Sequence, residues 1–215
     1  MIDILYEDNH LIAVNKPVGL LVQGDETGDE CLMDQVKDYL KKTYQKPGNV
    51  FLGLLHRIDR PASGIVLFAK TSKGASRLTA QFRGRTIKKV YYALLEGMPK
   101  EKKGTLVHYL RKDHKKNMVS AYDEERPDTQ EAELSYEVVN DRKGDALVKI
   151  DLKTGRPHQI RAQFAAIGHK VFGDKKYGAR SKYADGKGIA LCATELHFKT
   201  ATGDKDVDLT INVPF

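Results

Sequence analysis

The chain has 215 residues, of which 40% are hydrophobic and 30% are charged, and its formal net charge is +7. This composition excludes a chain disordered throughout, and the basic charge favours an anionic partner, of which nucleic acid is the simplest. The two cysteines are far apart in the sequence, which argues against a disulfide scaffold and against a Cys-x-x-Cys zinc site. No signal peptide and no apolar stretch of roughly 20 residues is present, so we expect a cytoplasmic protein that does not enter a membrane.

The first 44 residues predict a pair of strands followed by a helix. Residues 2–6 and 11–15 are rich in branched apolar side chains, and the Asp8-Asn9 pair between them is typical of a turn. Leucine and valine then recur at every fourth residue, which predicts an amphipathic helix over about residues 31–44.

A buried strand and a second helix are predicted next. Residues 64–69 form a continuous apolar run, which is typical of a strand covered on both faces. Apolar residues at helical spacing predict a helix over about residues 72–84. Residues 89–95 return to the pattern of a strand.

The rest of the chain completes an α+β pattern. We expect three or four strands within residues 104–152, a helix over about 158–167, and strands at about 189–199 and 207–213. Strands that follow one another in runs, with few helices between them, favour an α+β fold with a largely antiparallel sheet. Because no stretch is long enough to link two domains, residues 1–215 are predicted to form a single domain.

The most informative segment is residues 56–64, His-Arg-Ile-Asp-Arg-Pro-Ala-Ser-Gly, directly before the buried strand. The carboxylate of Asp59 stands between Arg57 and Arg60, and nearby guanidinium groups favour its ionised form. Such a carboxylate is suited to nucleophilic attack or to work as a base. A surface ion pair between Asp59 and either arginine explains the same spacing, and ion pairs are commoner than catalytic carboxylates.

Residues 56–70 resemble the signature of the RluA family of pseudouridine synthases. In that family the aspartate of the His-Arg-Leu-Asp motif is catalytic, and here Ile58 stands in place of the leucine. Residues 89–97 resemble the family's Lys-x-Tyr-x-Ala strand, and residues 154–161 resemble its Thr-Gly-Arg-x-His-Gln-Ile-Arg motif. The three motifs occur in the family's order, which makes the resemblance specific.

Two later segments extend the resemblance to about residues 8–200. Residues 168–174 resemble the family's Gly-His-Pro-Ile-x-Gly-Asp loop, although Lys170 stands where proline is usual. Residues 191–198 resemble the closing strand of the family. Lys170 is therefore the departure from the family pattern in this loop.

The resemblance implies a fold and an activity. The fold would be the α+β pseudouridine synthase fold, with a long, mixed, mainly antiparallel sheet in two halves, a central active-site cleft and a few flanking helices. The activity would be that of an isomerase that converts specific uridines of ribosomal or transfer RNA to pseudouridine, without a cofactor or a metal. The chain would be a monomeric catalytic domain without the small N-terminal RNA-binding domain of many relatives.

The resemblance also implies roles for four residues. Asp59 would be the catalytic residue, and Tyr91 would pack against the base of a uridine flipped out of the RNA. Arg161 would pair with Asp59, and Arg57 would fill the gap that the flipped base leaves. Core packing of Tyr91 and phosphate contacts of either arginine remain open.

Three other features bear on function. His56 and His158 lie in the motifs, but we expect both to hydrogen-bond to the backbone rather than to transfer protons. Basic residues cluster in three segments, 83–89, 111–116 and 175–187, and the last lies in a stretch, 174–188, predicted to be a surface loop. They are either solvated or in contact with RNA phosphates.

Three readings compete with the enzyme. The first is a catalytically inactive RNA-binding module of the same fold, which the presence of Asp59, Tyr91 and Arg161 disfavours. A base-exchanging transferase is disfavoured because no metal-ligand spacing is present. A basic structural protein of the ribosome would leave the ordered motifs unexplained.

Overall fold

A computed structural model describes residues 2–215, which divide into two compact units. The first unit contains residues 2–87 and 193–212, and the second contains residues 88–192 and 213–215. Within the described residues the strands are β1 (Asp3–Glu7), β2 (Leu11–Lys16), β3 (Gly53–Leu54), β4 (Ser63–Ala69), β5 (Lys88–Leu95), β6 (Lys103–Asp113), β7 (Met118–Tyr122), β8 (Gln130–Arg142), β9 (Asp145–Leu152), β10 (Leu191–Lys199) and β11 (Asp206–Thr210). The α-helices are α1 (Leu32–Thr43), α2 (Ser72–Arg83) and α3 (Gln159–Ala166).

The strands of the first unit are hydrogen-bonded in the order β1–β2–β4–β10, with β3 on β4 and β11 on β10. The β1–β2, β2–β4, β3–β4 and β10–β11 pairs are antiparallel. All seven residues of β4 are buried, as its apolar run predicted. Gly64 in β4 has a φ of +118°, and a Cβ there would lie 2.3 Å from the carbonyl oxygen of Ala193 in β10. Only glycine permits this close approach of the two strands.

Helix α2 completes the core of the first unit. Leu78 of α2 is fully buried with Leu11, Ile65 and Leu67 of the sheet, and Phe82 packs against the same cluster. The helix begins after Thr71, whose hydroxyl accepts a hydrogen bond from the backbone N–H of Gly74. The apolar spacing that predicted α2 therefore marks the face that enters the core.

The strands of the second unit run in the order β5–β9–β8–β6–β7, and each of these pairs is antiparallel. Helix α3 is buried from Gln159 to Phe164, and Ala162 packs in a cluster with Leu110, Val119, Ala132 and Tyr177. Gly168, with a φ of +88°, follows the end of the helix, as is common for a glycine at a helix C-terminus. Strand β10 begins in this unit and continues in the first one.

The predicted α+β pattern is confirmed in both units, and four strands occupy the segment for which three or four were expected. Strand β3 was not predicted, because two residues are too short to show a strand pattern. The expected surface loop 174–188 contains two short 3-10 turns, Lys175–Tyr177 and Ala184–Gly186. The single domain over residues 1–215 stays a prediction. Within residues 2–215, no helix has both the length and the apolar character needed to cross a membrane.

Candidate active site

Asp59 lies in the loop that joins β3 to β4 in the first unit, and its side chain is half-buried. The loop is held from both sides of Asp59. On one side, His56 accepts a hydrogen bond at Nε2 from the backbone N–H of Leu67 (3.0 Å) and stacks on Phe82 at 5.0 Å between ring centroids. On the other side, the carbonyl oxygen of Asp59 accepts a hydrogen bond from the N–H of Ala62 (3.0 Å). The carboxylate is thus carried on a fixed backbone and stays open to solvent.

The prediction that His56 hydrogen-bonds to the backbone is confirmed by its bond with the N–H of Leu67. For His158, the Nδ1 atom lies 3.0 Å from the hydroxyl of Tyr177, and its bond to the backbone stays a prediction. Neither bond requires a proton transfer.

Lys16, at the end of β2, is fully buried behind the Asp59 loop. Its Nζ donates to the carbonyl oxygens of Pro17 (3.0 Å), Leu20 (2.7 Å) and Arg60 (3.1 Å). Burial lowers the pKa of Lys16 to about 7, an effect that the negative charge of Asp59 opposes and the positive charge of Arg60 strengthens. Lys16 therefore joins the loop that carries Asp59 to the segment that follows β2.

No role was predicted for Lys16 from the sequence. The signal in the sequence is a lysine at the end of a strand whose other residues are nearly all buried. That signal is weak, because a lysine at a strand end normally extends into solvent.

Arg60 forms an ion pair with Asp29, whereas the sequence analysis considered Asp59 as its partner. Its Nη2 lies 2.6 Å from Oδ2 of Asp29, and its Nε donates to the carbonyl oxygen of Gly19 at 3.0 Å. Both charged groups of the Arg60–Asp29 pair are about half exposed, so the pair contributes little stability. The ion pair with Arg60 that we considered for Asp59 is thus replaced by a contact between two loops. Arg57 is exposed on the same loop as Asp59.

Tyr91 lies in β5 of the second unit, and its side chain is 8% exposed. Tyr91 pairs with Ile150 of β9, and its neighbour Tyr92 pairs with Lys149. Successive side chains of a strand point to opposite faces of the sheet, so the two tyrosines face different surroundings. Tyr92 lies on the half-exposed face, where Nζ of Lys149 is 5.9 Å from the centre of its ring.

Arg161 lies in α3 of the second unit, where it is 3% exposed and forms a two-pronged ion pair with Asp174. Its Nε is 2.6 Å from Oδ2 and its Nη2 is 2.9 Å from Oδ1 of the aspartate, and the guanidinium also lies over the ring of Tyr177 at 5.1 Å. The parallel geometry suits the planar guanidinium and fixes its orientation. The pairing of Arg161 with Asp59 stays a prediction.

Asp174, the partner of Arg161, had no role assigned to it from the sequence. It is the last residue of the 168–174 loop, in which Lys170 departs from the family pattern. With Lys170 in place of proline, the loop still pairs with the end of β5, because the N–H of Glu96 donates to the carbonyl oxygen of Lys170 and Val171 forms a bridge with Leu95.

Metal ligands are not grouped in the part of the chain that the structure describes: no three His, Cys, Asp or Glu side chains of residues 2–215 are arranged to hold an ion. The first unit contains a carboxylate on a held loop with a buried lysine behind it. The second unit contains a buried arginine–aspartate pair.

The model of the RNA pseudouridylate synthase family matches residues 10–166, and the chain belongs to that family. The resemblance seen in the motifs is thereby confirmed. The matched segment includes the Asp59 loop, β5 and α3.

Curated relatives agree with this assignment. The chain is 34% identical over 84% of its length to an uncharacterized RNA pseudouridine synthase of Bacillus subtilis, covering 59% of that protein. It is 36% identical over 91% of its length to ribosomal large subunit pseudouridine synthase C of Buchnera aphidicola, covering 62%. It is 30% identical over 99% of its length to ribosomal large subunit pseudouridine synthase D of Zymomonas mobilis, covering 69%. The chain thus spans about three fifths of the length of these relatives.

Solved structures confirm the fold. Human RNA pseudouridylate synthase domain containing 4 superposes with a TM-score of 0.81 and 23% identity, over 99% of this chain and 88% of that one. Human RNA pseudouridylate synthase domain containing 1 superposes with a TM-score of 0.79 and 23% identity, over 100% and 84% of the two chains. The predicted α+β pseudouridine synthase fold is therefore correct.

Proposed function

We propose that the protein is an RNA pseudouridine synthase, an isomerase that converts uridine to pseudouridine in ribosomal or transfer RNA. The observation that carries the proposal is the family match over residues 10–166, with an aspartate, Asp59, at the position of the family's catalytic residue. Two of the relatives are named as ribosomal large subunit enzymes, which supports ribosomal RNA as the first substrate to test.

Asp59 is the catalytic carboxylate in this proposal. The bond between ribose and nitrogen of the uracil breaks, the base turns, and the ribose bonds to carbon 5 of the ring, which loses its hydrogen as a proton while the released nitrogen gains a proton. Atoms and electrons balance without an oxidant or reductant, so the reaction needs no cofactor. A half-buried carboxylate on a held loop can approach the nucleotide at a fixed position, and this preorganisation favours catalysis.

The uridine must leave the stacked RNA to be reached, which costs a few kcal/mol. The ring of Tyr91 offsets this cost by stacking on the base, a contact that contributes about 1–3 kcal/mol in other proteins. Arg57, exposed beside Asp59, fills the gap left in the RNA. Arg161 keeps Asp59 in place and charged.

The protein acts as a monomer in the cytoplasm in this proposal, where its RNA substrates are found. The net charge of +7 supports RNA as the partner. An inactive RNA-binding module of the same fold is the second candidate. Such a module would bind RNA but form no pseudouridine, so an assay of the reaction distinguishes the two.

Release of tritium from RNA that carries uridine labelled at carbon 5 tests the proposal, because isomerisation must expel that hydrogen. We expect release by the wild-type chain and none above background by Asp59→Asn. Asp38→Asn, which changes an exposed aspartate of α1, is the matched control and should release tritium at the wild-type rate.

The substrate for this test is total RNA from cells that lack the enzyme, so that no target is already modified. Equal release by wild type and Asp59→Asn would exclude Asp59 as the catalytic residue. Silence from the wild type, with RNA binding intact, would leave the RNA-binding module as the function.

A further inference from the structure

Two basic segments of the second unit lie side by side although about 60 residues separate them in the sequence. One is the tip of the β6–β7 hairpin, residues 111–117, and the other is the loop that follows Gly173. Nζ of Lys176 donates to the carbonyl oxygen of Asn117 at the tip (3.0 Å), and the hydroxyl of Tyr177 accepts a hydrogen bond from the N–H of Val119 in β7 (3.0 Å). These bonds join the start of the loop to the hairpin.

The joined segments carry a dense positive charge. Their exposed cations are Arg111, Lys112, Lys115, Lys116, Lys175, Lys176, Arg180 and Lys182. Residues 111–117 and 174–182, which carry these cations, contain two acidic residues, and both are engaged with the protein: the Asp113 carboxylate accepts the N–H groups of Lys115 and Lys116, and Asp174 pairs with buried Arg161. Exposed Asp185 follows them in the chain, together with exposed Lys187.

Other acids of the hairpin lie far from its tip. Residues 123–125, Asp-Glu-Glu, follow the opposite end of β7, and at about 3.4 Å per residue the five-residue strand separates them from the tip by roughly 17 Å. That distance exceeds the screening length of about 8 Å at physiological salt, so these acids do not neutralise the tip.

The loop is held by contacts that leave its cations exposed. Oε1 of Glu96 accepts hydrogen bonds from the N–H groups of Arg180 and Ser181 and from the hydroxyl of Ser181, each at 2.7 Å. The Ser181 hydroxyl oxygen in turn accepts from the N–H of Gly173 at 2.8 Å. A solvated lysine run needs no such framework, whereas a surface that is ordered in advance loses less conformational entropy when a partner binds.

We propose that the β6–β7 tip and the loop after Gly173 form one preformed cationic surface that binds the phosphate backbone of RNA. The inference rests on the proposed function for its choice of polyanion, and it assigns the contacts to particular residues. Glu96 is a positioning residue of this surface, because its carboxylate holds the backbone from which Arg180 projects.

The test measures the affinity for a fluorescein-labelled RNA hairpin of about 20 nucleotides at several salt concentrations. A tip pair, Lys112→Gln with Lys115→Gln, and a loop pair, Lys175→Gln with Lys182→Gln, each remove two exposed charges. Each phosphate contact adds about 0.7–0.9 to the slope of log Kd against log salt, so each pair should lower the slope by about 1.5. The rise in Kd between 50 and 200 mM salt then becomes about eightfold smaller.

The control pair is Lys41→Gln with Lys42→Gln, which removes two exposed charges from the end of α1 in the first unit. It should leave the slope within about 0.3 of the wild-type value, since it lies outside the surface. Unchanged melting temperatures would show that all three variants are folded.

Slopes for the tip and loop pairs that equal that of the control pair would overturn the inference, and so would an effect confined to one of the two pairs. Binding is read without turnover, so the outcome is separate from that of the tritium assay. A chain that binds through this surface but releases no tritium contradicts the proposed isomerase and not the surface.

Discussion

Two buried cationic side chains, those of Lys16 and Arg161, are each held by several hydrogen bonds. Lys16 places its three donor positions on three carbonyl oxygens, and Arg161 places two of its nitrogens on the two oxygens of Asp174. Buried charges are costly to leave unpaired, so each of these residues fixes the segments that it joins.

Lys16 gives the fold a pH dependence of predictable sign. Its pKa is lowered from 10.5 to about 7 in the folded chain, so between those values the unfolded chain holds a proton that the folded chain has released. The free energy of unfolding should therefore rise with pH above about 7, by up to about 1.4 kcal/mol per pH unit from this group.

Urea unfolding of the wild type and of Lys16→Met at pH 6, 7, 8 and 9 measures this effect. The difference in stability between the two proteins should shift in favour of the wild type as the pH rises above 7, and should be constant below pH 6. Parallel curves over the whole range would show that Lys16 has no depressed pKa.

The Arg161–Asp174 pair allows a second prediction about single residues. Asp174→Ala leaves a guanidinium buried without its aspartate partner and should lower the free energy of unfolding by about 3–5 kcal/mol. Asp29→Ala breaks an ion pair in which both partners are about half exposed and should cost less than about 1 kcal/mol. Equal losses in chemical denaturation would contradict the structural role of the buried pair.

Among the elements, strand β5 determines which of its two tyrosines could face the base in the proposed function. Alternation along a strand sends Tyr91 and Tyr92 to opposite faces, and Tyr91 occupies the position that matches the family motif. The strand is paired with β9 over six consecutive residues, which fixes its register.

Tyr91→Ala should lower kcat/KM by roughly 5- to 150-fold, the equivalent of about 1–3 kcal/mol of lost stacking. Tyr92→Ala should lower it less than about threefold, and Tyr91→Phe, which keeps the ring, should retain most of the activity. Tritium release at several RNA concentrations gives these values, with melting temperatures as the check on folding. Similar losses for both alanine variants would mean that the assigned face of β5 is wrong.

Close packing of strands makes some glycines indispensable at the level of the elements. Gly64 lies where β4 approaches β10, and its positive φ and the contact with Ala193 exclude any side chain. The glycine that follows Ser63 in the motif is therefore explained by packing, and it needs no catalytic role.

At the scale of the whole molecule, the excess of positive charge sets the conditions for the RNA binding that the proposed function requires. A net charge of +7 predicts that affinity for RNA falls steeply with salt, because bound cations release counterions from the phosphates. The wild-type Kd for a labelled RNA hairpin should rise at least about tenfold between 50 and 200 mM potassium chloride. Sucrose at matched osmolality should leave the Kd unchanged. A Kd that does not change with salt would exclude electrostatic binding to the phosphates.

Much of the secondary structure was determined by the sequence alone, because the signals that predict helices and strands are local. The spacing of apolar residues predicted α1, α2, the buried strand β4 and the order of the remaining elements, since period and burial are written in neighbouring residues. The three motifs in the family's order predicted the family, which the family match confirms.

Only the tertiary structure decided which polar group each of these charged side chains contacts. The contacts are those of Lys16 with the carbonyl oxygen of Arg60, Arg161 with the carboxylate of Asp174, and Lys176 with the carbonyl oxygen of Asn117. The partners are 13 to 59 positions apart, and sequence spacing does not show which of many charged and polar groups will pair. The physical reason is that the folded backbone brings particular donors and acceptors within about 3 Å, and burial then makes the Lys16 and Arg161 pairings costly to break.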